Sequence, residues 1–207
     1  MVKFPDVAAD ERSTLEQFLD FHRQCVLDTL DGLSRHEMAA RLLPATELTI
    51  GGIVKHLARV EDLWFQEKLL GAPVPEPWAS APLDADPDWD FHSAGEDSPA
   101  DLAALYATAC QRSRRAAAGY ANLSDRAAKP SFGGGPVSLR WILVHMIEET
   151  AQHRGHLDLL RDALDRRAGS PVAVQLPAQA EGPRGEEGGQ PAPPRDDDGA
   201  LDEAEAW

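Results

Sequence analysis

The sequence predicts an all-α protein, a four-helix bundle with one long internal connection. Three observations predict it. Apolar residues recur at three- and four-residue spacing in four separate stretches, no stretch alternates as a strand would, and a proline-rich gap divides the second stretch from the third.

The first stretch runs from about Ala9 to Leu33, with Leu15, Phe18, Leu19, His22, Val26 and Leu30 sharing a face. The second begins near Thr49, whose hydroxyl suits an N-cap, and runs to Leu70, where "GAPVPEP" stops it. Its apolar stripe is Ile53, Leu57, Val60 and Trp64. The third opens on "SPAD", with Ser98 as N-cap, Pro99 in the first helical position and Asp101 favourable in the first turn. It continues to about Ala121. The fourth follows "GGGPVS", with Ser138 as its cap, and passes Trp141, Val144 and Leu160 to about Arg167. The gap, roughly Gly71 to Asp97, carries Pro73, Pro75, Pro77, Pro82 and Pro87. Connections of this length within a compact domain tend to be functional or mobile.

From about Gly169 the apolar periodicity gives way to Pro, Gly, Gln, Ala and acidic residues. Such a composition cannot bury enough apolar surface to offset the entropy of ordering the chain. Residues 1–168 are therefore expected to form the bundle and 169–207 a disordered acidic tail.

The net charge of −15 argues against nucleic acid and anionic membrane surfaces, both of which call for a basic face. No stretch approaches the roughly 18 uncharged apolar residues of a membrane helix, and no basic-then-apolar segment opens the chain. The two cysteines, Cys25 and Cys110, form no CxxC pattern and no disulfide framework. A cytoplasmic location is expected.

The chemistry lies in the histidines. His56 shares the apolar stripe of the second helix, three residues after Ile53 and four before Val60. In the fourth helix, "HMIEETAQHRGH" sets His145, Glu149 and His153 four residues apart, and His156 follows on the same face. At about 3.6 residues per turn these side chains drift little and form one stripe. A titratable stripe of this density is costly to bury unless something pairs it. A divalent cation would do so, with His56 as a third ligand from a facing helix. Spacing alone leaves three pairs open: His145/Glu149, Glu149/His153 and His153/His156.

Taken together, "TIGGIVKHLARVEDLWF" and "SLRWILVHMIEETAQHRGHLDLLRD" resemble the DinB-like metalloprotein superfamily. The nearest branch contains the mini-circle protein and mycothiol-dependent maleylpyruvate isomerase relatives. The resemblance spans roughly residues 8–167. It implies a four-helix bundle with a three-residue metal site: a His from the second helix, matching His56, and an ExxxH pair from the last, matching Glu149 and His153. His145 and His156 would then stand beside the ligands as second-layer or proton-handling groups. The His2Glu set suits zinc, and nickel, manganese or ferrous iron are compatible with it.

The resemblance further implies a metal-dependent S-transferase or isomerase, using a low-molecular-weight thiol of the mycothiol type and a small electrophile. A metal-dependent hydrolase and a non-catalytic, stress-associated metal-binding bundle are the competing expectations, and a homodimer is compatible with either. Other features carry less. Gly133, Gly134 and Gly135 follow no strand and precede no GK[ST], so they read as a turn rather than a phosphate loop. Cys25 and Cys110 read as buried helix residues. Trp64 reads as core, and Trp78 and Trp89 as pocket lining or anchors of the long connection.

Overall fold

In a computed structural model the described residues are 4–131 and 134–167, together with the backbone alone of residues 168 and 169 at the end of the last helix. The expected tail over 169–207 lies, beyond Gly169, outside them, as does Gly133. The regular elements among the described residues are all helices, with one isolated bridge between Arg126 and Ser138 and no strand.

Helix α1 spans Glu11–Asp28, shorter at both ends than the periodicity suggests. Asp10 caps it by accepting from the Ser13 amide. The chain then turns through a left-handed Gly32 into α2, Arg35–Met38, where Ser34 and Glu37 form a capping box. Helix α3 runs Ile50–Asp62 and continues as a π-helical segment over Leu63–Leu69. Thr49 is its N-cap, as expected, accepting from the Gly52 amide. It ends at Gly71, whose positive φ of 68° only glycine adopts without strain, and the Ala72 amide returns to the Gln66 carbonyl.

Helix α5, Pro99–Ala118, starts on the expected Ser98 cap, with Asp101 reciprocating as a full capping box. Helix α6, Leu139–Gly169, follows Ser138, whose hydroxyl accepts from the Trp141 amide. The connection between α3 and α5 is more structured than a loop: it contains α4, Trp89–Ser93, and a 3-10 turn at Ala94–Glu96.

Pairing across the bundle fixes the helix directions. Glu11 meets Arg140 at the start of α1 and α6, and Arg161 reaches the Thr29 and Asp31 carbonyls at their ends, so these two run parallel. Gly51 faces Leu102, and Asp62 binds Arg112, so α3 and α5 also run parallel. His56 meets Glu149 while Trp64 meets Trp141, so α3 opposes α6. The order is up, down, down, up. Sequential parallel neighbours cannot be joined by a tight turn, because the chain must travel back the length of a helix; this is why the connection at 71–97 is long.

Helix α3 is central. Twelve of its residues are buried, among them the charged Lys55, Glu61 and Asp62. Each has a partner from elsewhere. Lys55 Nζ lies 2.6 Å from Asp97 and 4.6 Å from the centre of the Trp89 ring. Glu61 takes two hydrogen bonds from the buried Arg23 of α1, at 2.7 and 2.6 Å. Asp62 accepts from Arg112 of α5 and from the indole of Trp78. The stripe of Ile53, Leu57, Val60 and Trp64 is buried as expected, while Trp141 and Val144 of α6 are partly exposed. No helix among the described residues is long and apolar enough to cross a membrane.

Candidate metal centre

His56 stands two turns into α3, and Glu149 and His153 stand one turn apart on α6. Because α3 and α6 are antiparallel neighbours, the three side chains meet between them. One ligand atom from each lies within 4.8 Å of the other two. Both imidazoles direct Nε2 at the same carboxylate oxygen: His56 Nε2 is 3.3 Å from Glu149 Oε1, and His153 Nε2 is 3.2 Å from it. An ion bound at zinc distances of about 2.0–2.1 Å sets tetrahedral ligands about 3.3–3.4 Å apart, so the spacing fits a shared cation. The Glu149 and His153 side chains each keep 14% of their surface exposed, which leaves the group reachable by a small molecule.

Of the three pairs the spacing leaves open, Glu149/His153 is the one that reaches His56. His145 is held by two indoles, its ring stacked on Trp141 and edge-on to Trp64, at centroid distances of 5.1 and 4.7 Å. His156 packs edge-on against His153, 5.4 Å between centroids. Nδ1 of His153 and of His156 is buried without a hydrogen-bond partner among the described residues.

The electrostatics follow from burial set against pairing. Burial would raise the Glu149 carboxyl, but hydrogen bonds from His153 and His56 outweigh it and hold the group far below the usual carboxylate range. Burial would lower the His56 imidazole, but its hydrogen bonds to Asp90 and Glu149 outweigh it and raise its pKa. At His145 and His156 burial outweighs the pull of Glu149 and lowers both, with His153 adding to the effect on His156. The cysteines play no part: burial, then Glu61, pushes the Cys110 thiol far up, and burial raises Cys25.

Sequence reasoning missed two residues here. Asp90, fully buried in α4, approaches His56 Nδ1 to 2.9 Å. Phe91, beside it, stacks on the His56 ring with 4.7 Å between centroids. The only hint in the sequence is an acidic–aromatic run, "DWDF", in a connection otherwise dominated by proline. A cavity of about 520 Å³ opens near the start of α3, lined by Arg41, Glu47, Thr49, Phe91 and His92 among others. It borders the centre through Phe91, and none of the three grouped side chains lines it.

An up-down-down-up bundle with a His–Glu–His group between its second and fourth long helices defines a DinB-like protein. A family model described as Mycothiol-S-transferase matches residues 14–166, and the chain belongs to that family. No curated protein matches it.

Proposed function

We propose that the protein is a divalent-metal-dependent S-transferase that joins a mycothiol-type thiol to small electrophiles, with His56, Glu149 and His153 as its metal ligands. The observation that carries this reading is the convergence of two Nε2 atoms from facing helices on one carboxylate oxygen, each at a distance that a tetrahedral ion would set. Three protein ligands leave a coordination position free for a substrate atom. A cation bound there would supply charge that lowers the pKa of a thiol and yields the nucleophilic thiolate. Zinc suits the mixed nitrogen and oxygen set best. Membership in a mycothiol S-transferase family supports the thiol as co-substrate, and the cytoplasm is where such thiols stay reduced.

The chain's own residues do the rest. Glu149 contributes negative charge to the cation and keeps its carboxylate ionised under all ordinary conditions. His153 and His56 hold their rings by packing, against His156 and against Phe91. Phe91 and the crossover also wall off one side of His56 from water.

The test follows the disappearance of mycothiol with a generic electrophile such as monochlorobimane. Wild type should turn over, and activity should vanish with a strong chelator, return with zinc, and be absent in His153→Ala. Turnover that survives the chelator would refute metal dependence. Metal binding without turnover of any cellular thiol would favour a non-catalytic bundle.

A further inference from the structure

The long crossover does more than return the chain. Its short helix α4 places two consecutive residues on the buried His56. Asp90, with no exposed surface, faces Nδ1 at 2.9 Å, and the Phe91 ring covers one face of the imidazole. Arg59, one turn along α3 from His56, adds contacts to both Asp90 oxygens at 3.4 Å and to the Pro87 carbonyl. The seat is tight: a Cβ on Gly52 would meet Phe91 Cδ1 at 3.0 Å. This helix therefore docks because α3 has a glycine at that point.

We propose that Asp90 is the positioning residue of the centre, accepting the Nδ1 proton of His56 so that the bare Nε2 faces Glu149 and His153. The inference rests on the metal reading above. An imidazole has one proton to place when neutral, and only the nitrogen without it can ligate. A carboxylate at Nδ1 puts the proton there, fixes the ring plane and makes Nε2 a more basic donor. Charge explains why the partner is an acid: an amide could flip and donate, which would select the wrong tautomer. The crossover thus belongs to the metal centre itself, and distortions of the 71–97 connection should register as altered metal affinity.

The experiment measures zinc affinity by competition with a chromophoric chelator for wild type, Asp90→Asn, His56→Ala and the double variant. Partners of this kind are worth about 10- to 100-fold in metal affinity, so Asp90→Asn should weaken zinc by that factor. In the His56→Ala background the same change should cost nothing further, because Asp90 acts through His56. Equal loss in both backgrounds would make Asp90 merely structural and overturn the inference, as would unchanged affinity in Asp90→Asn. Zinc-loaded wild type labelled with 15N-histidine gives a second readout that needs no variant. A proton on His56 Nδ1 is expected, and metal on Nδ1 would overturn the proposal. Wild type that binds no zinc removes the metal reading and this inference together; wild type that binds while Asp90→Asn binds as well removes this inference alone.

Discussion

Replacing Arg23 with methionine probes how the central helix is held. Arg23 is 3% exposed and Glu61 is fully buried, and two short hydrogen bonds join them in a bidentate pair. Burial alone would disfavour the Arg23 charge, but Glu61 outweighs it and raises the guanidinium further above its usual range. Removing the arginine leaves Glu61 with one weak side-chain donor, the Cys110 thiol at 3.8 Å. An uncompensated charge in such a place costs about 3–5 kcal/mol, whereas replacing both partners by apolar residues is often neutral or stabilising. Urea unfolding of chelator-treated protein at neutral pH should show Arg23→Met losing about 3–5 kcal/mol and Arg23→Met/Glu61→Leu recovering most of it. A single-variant loss below about 1 kcal/mol, with an unchanged denaturant slope, would refute the reasoning, because the pair would then be hydrated rather than buried. The site depends on this anchor, since Glu61 lies five residues beyond His56 on the same helix.

Other perturbations have equally definite expectations. Ser98→Ala removes one half of the α5 capping box and should cost about 1 kcal/mol by urea unfolding. It should also release Asp101, whose carboxyl is held down by hydrogen bonds from Ser98, toward its ordinary value in an NMR titration. Gly52→Ala gains helix propensity but drives Cβ into Thr49 Oγ1 at 2.9 Å and Phe91 at 3.0 Å, so a net fall in melting temperature is expected. In chelator-treated protein the Glu149 pairing stabilises fully above its unfolded pKa near 4.5 and fades as pH falls toward the lower folded value. The His56 pairing stabilises fully below its unfolded value near 6.5 and fades as pH rises through the higher folded value. Metal-free stability should therefore be greatest between those limits, and Glu149→Gln should flatten both sides of the profile.

The long helices were legible because each buries an apolar stripe and carries its own punctuation: Thr49 and Ser98 hydroxyls, Pro99 and Gly71. What escaped the sequence is non-local. Arg23, Glu61 and Asp62 look like solvated charges until partners from three other segments arrive, so α3 reads as one-sided when it is buried nearly all round. The π-helical segment over Leu63–Leu69 has no distinct residue pattern. Val144 shares the α6 periodicity yet keeps half its surface exposed, and Trp141, though packed on Trp64, is only partly covered. At the centre, the stripe of His145, Glu149, His153 and His156 was visible, but only the antiparallel meeting of α3 and α6 decides which members approach His56. Asp90 was invisible because its partner is 34 residues away and its helix is five residues long, too short for any periodicity to register.

Anomalous diffraction at the zinc edge from crystals of the zinc-loaded protein tests the central claim most directly. The expected result is a single peak between α3 and α6, about 2.0–2.2 Å from His56 Nε2, His153 Nε2 and a Glu149 oxygen. No peak there, or a peak only at an exposed pair such as His92 and Asp86, would contradict the account.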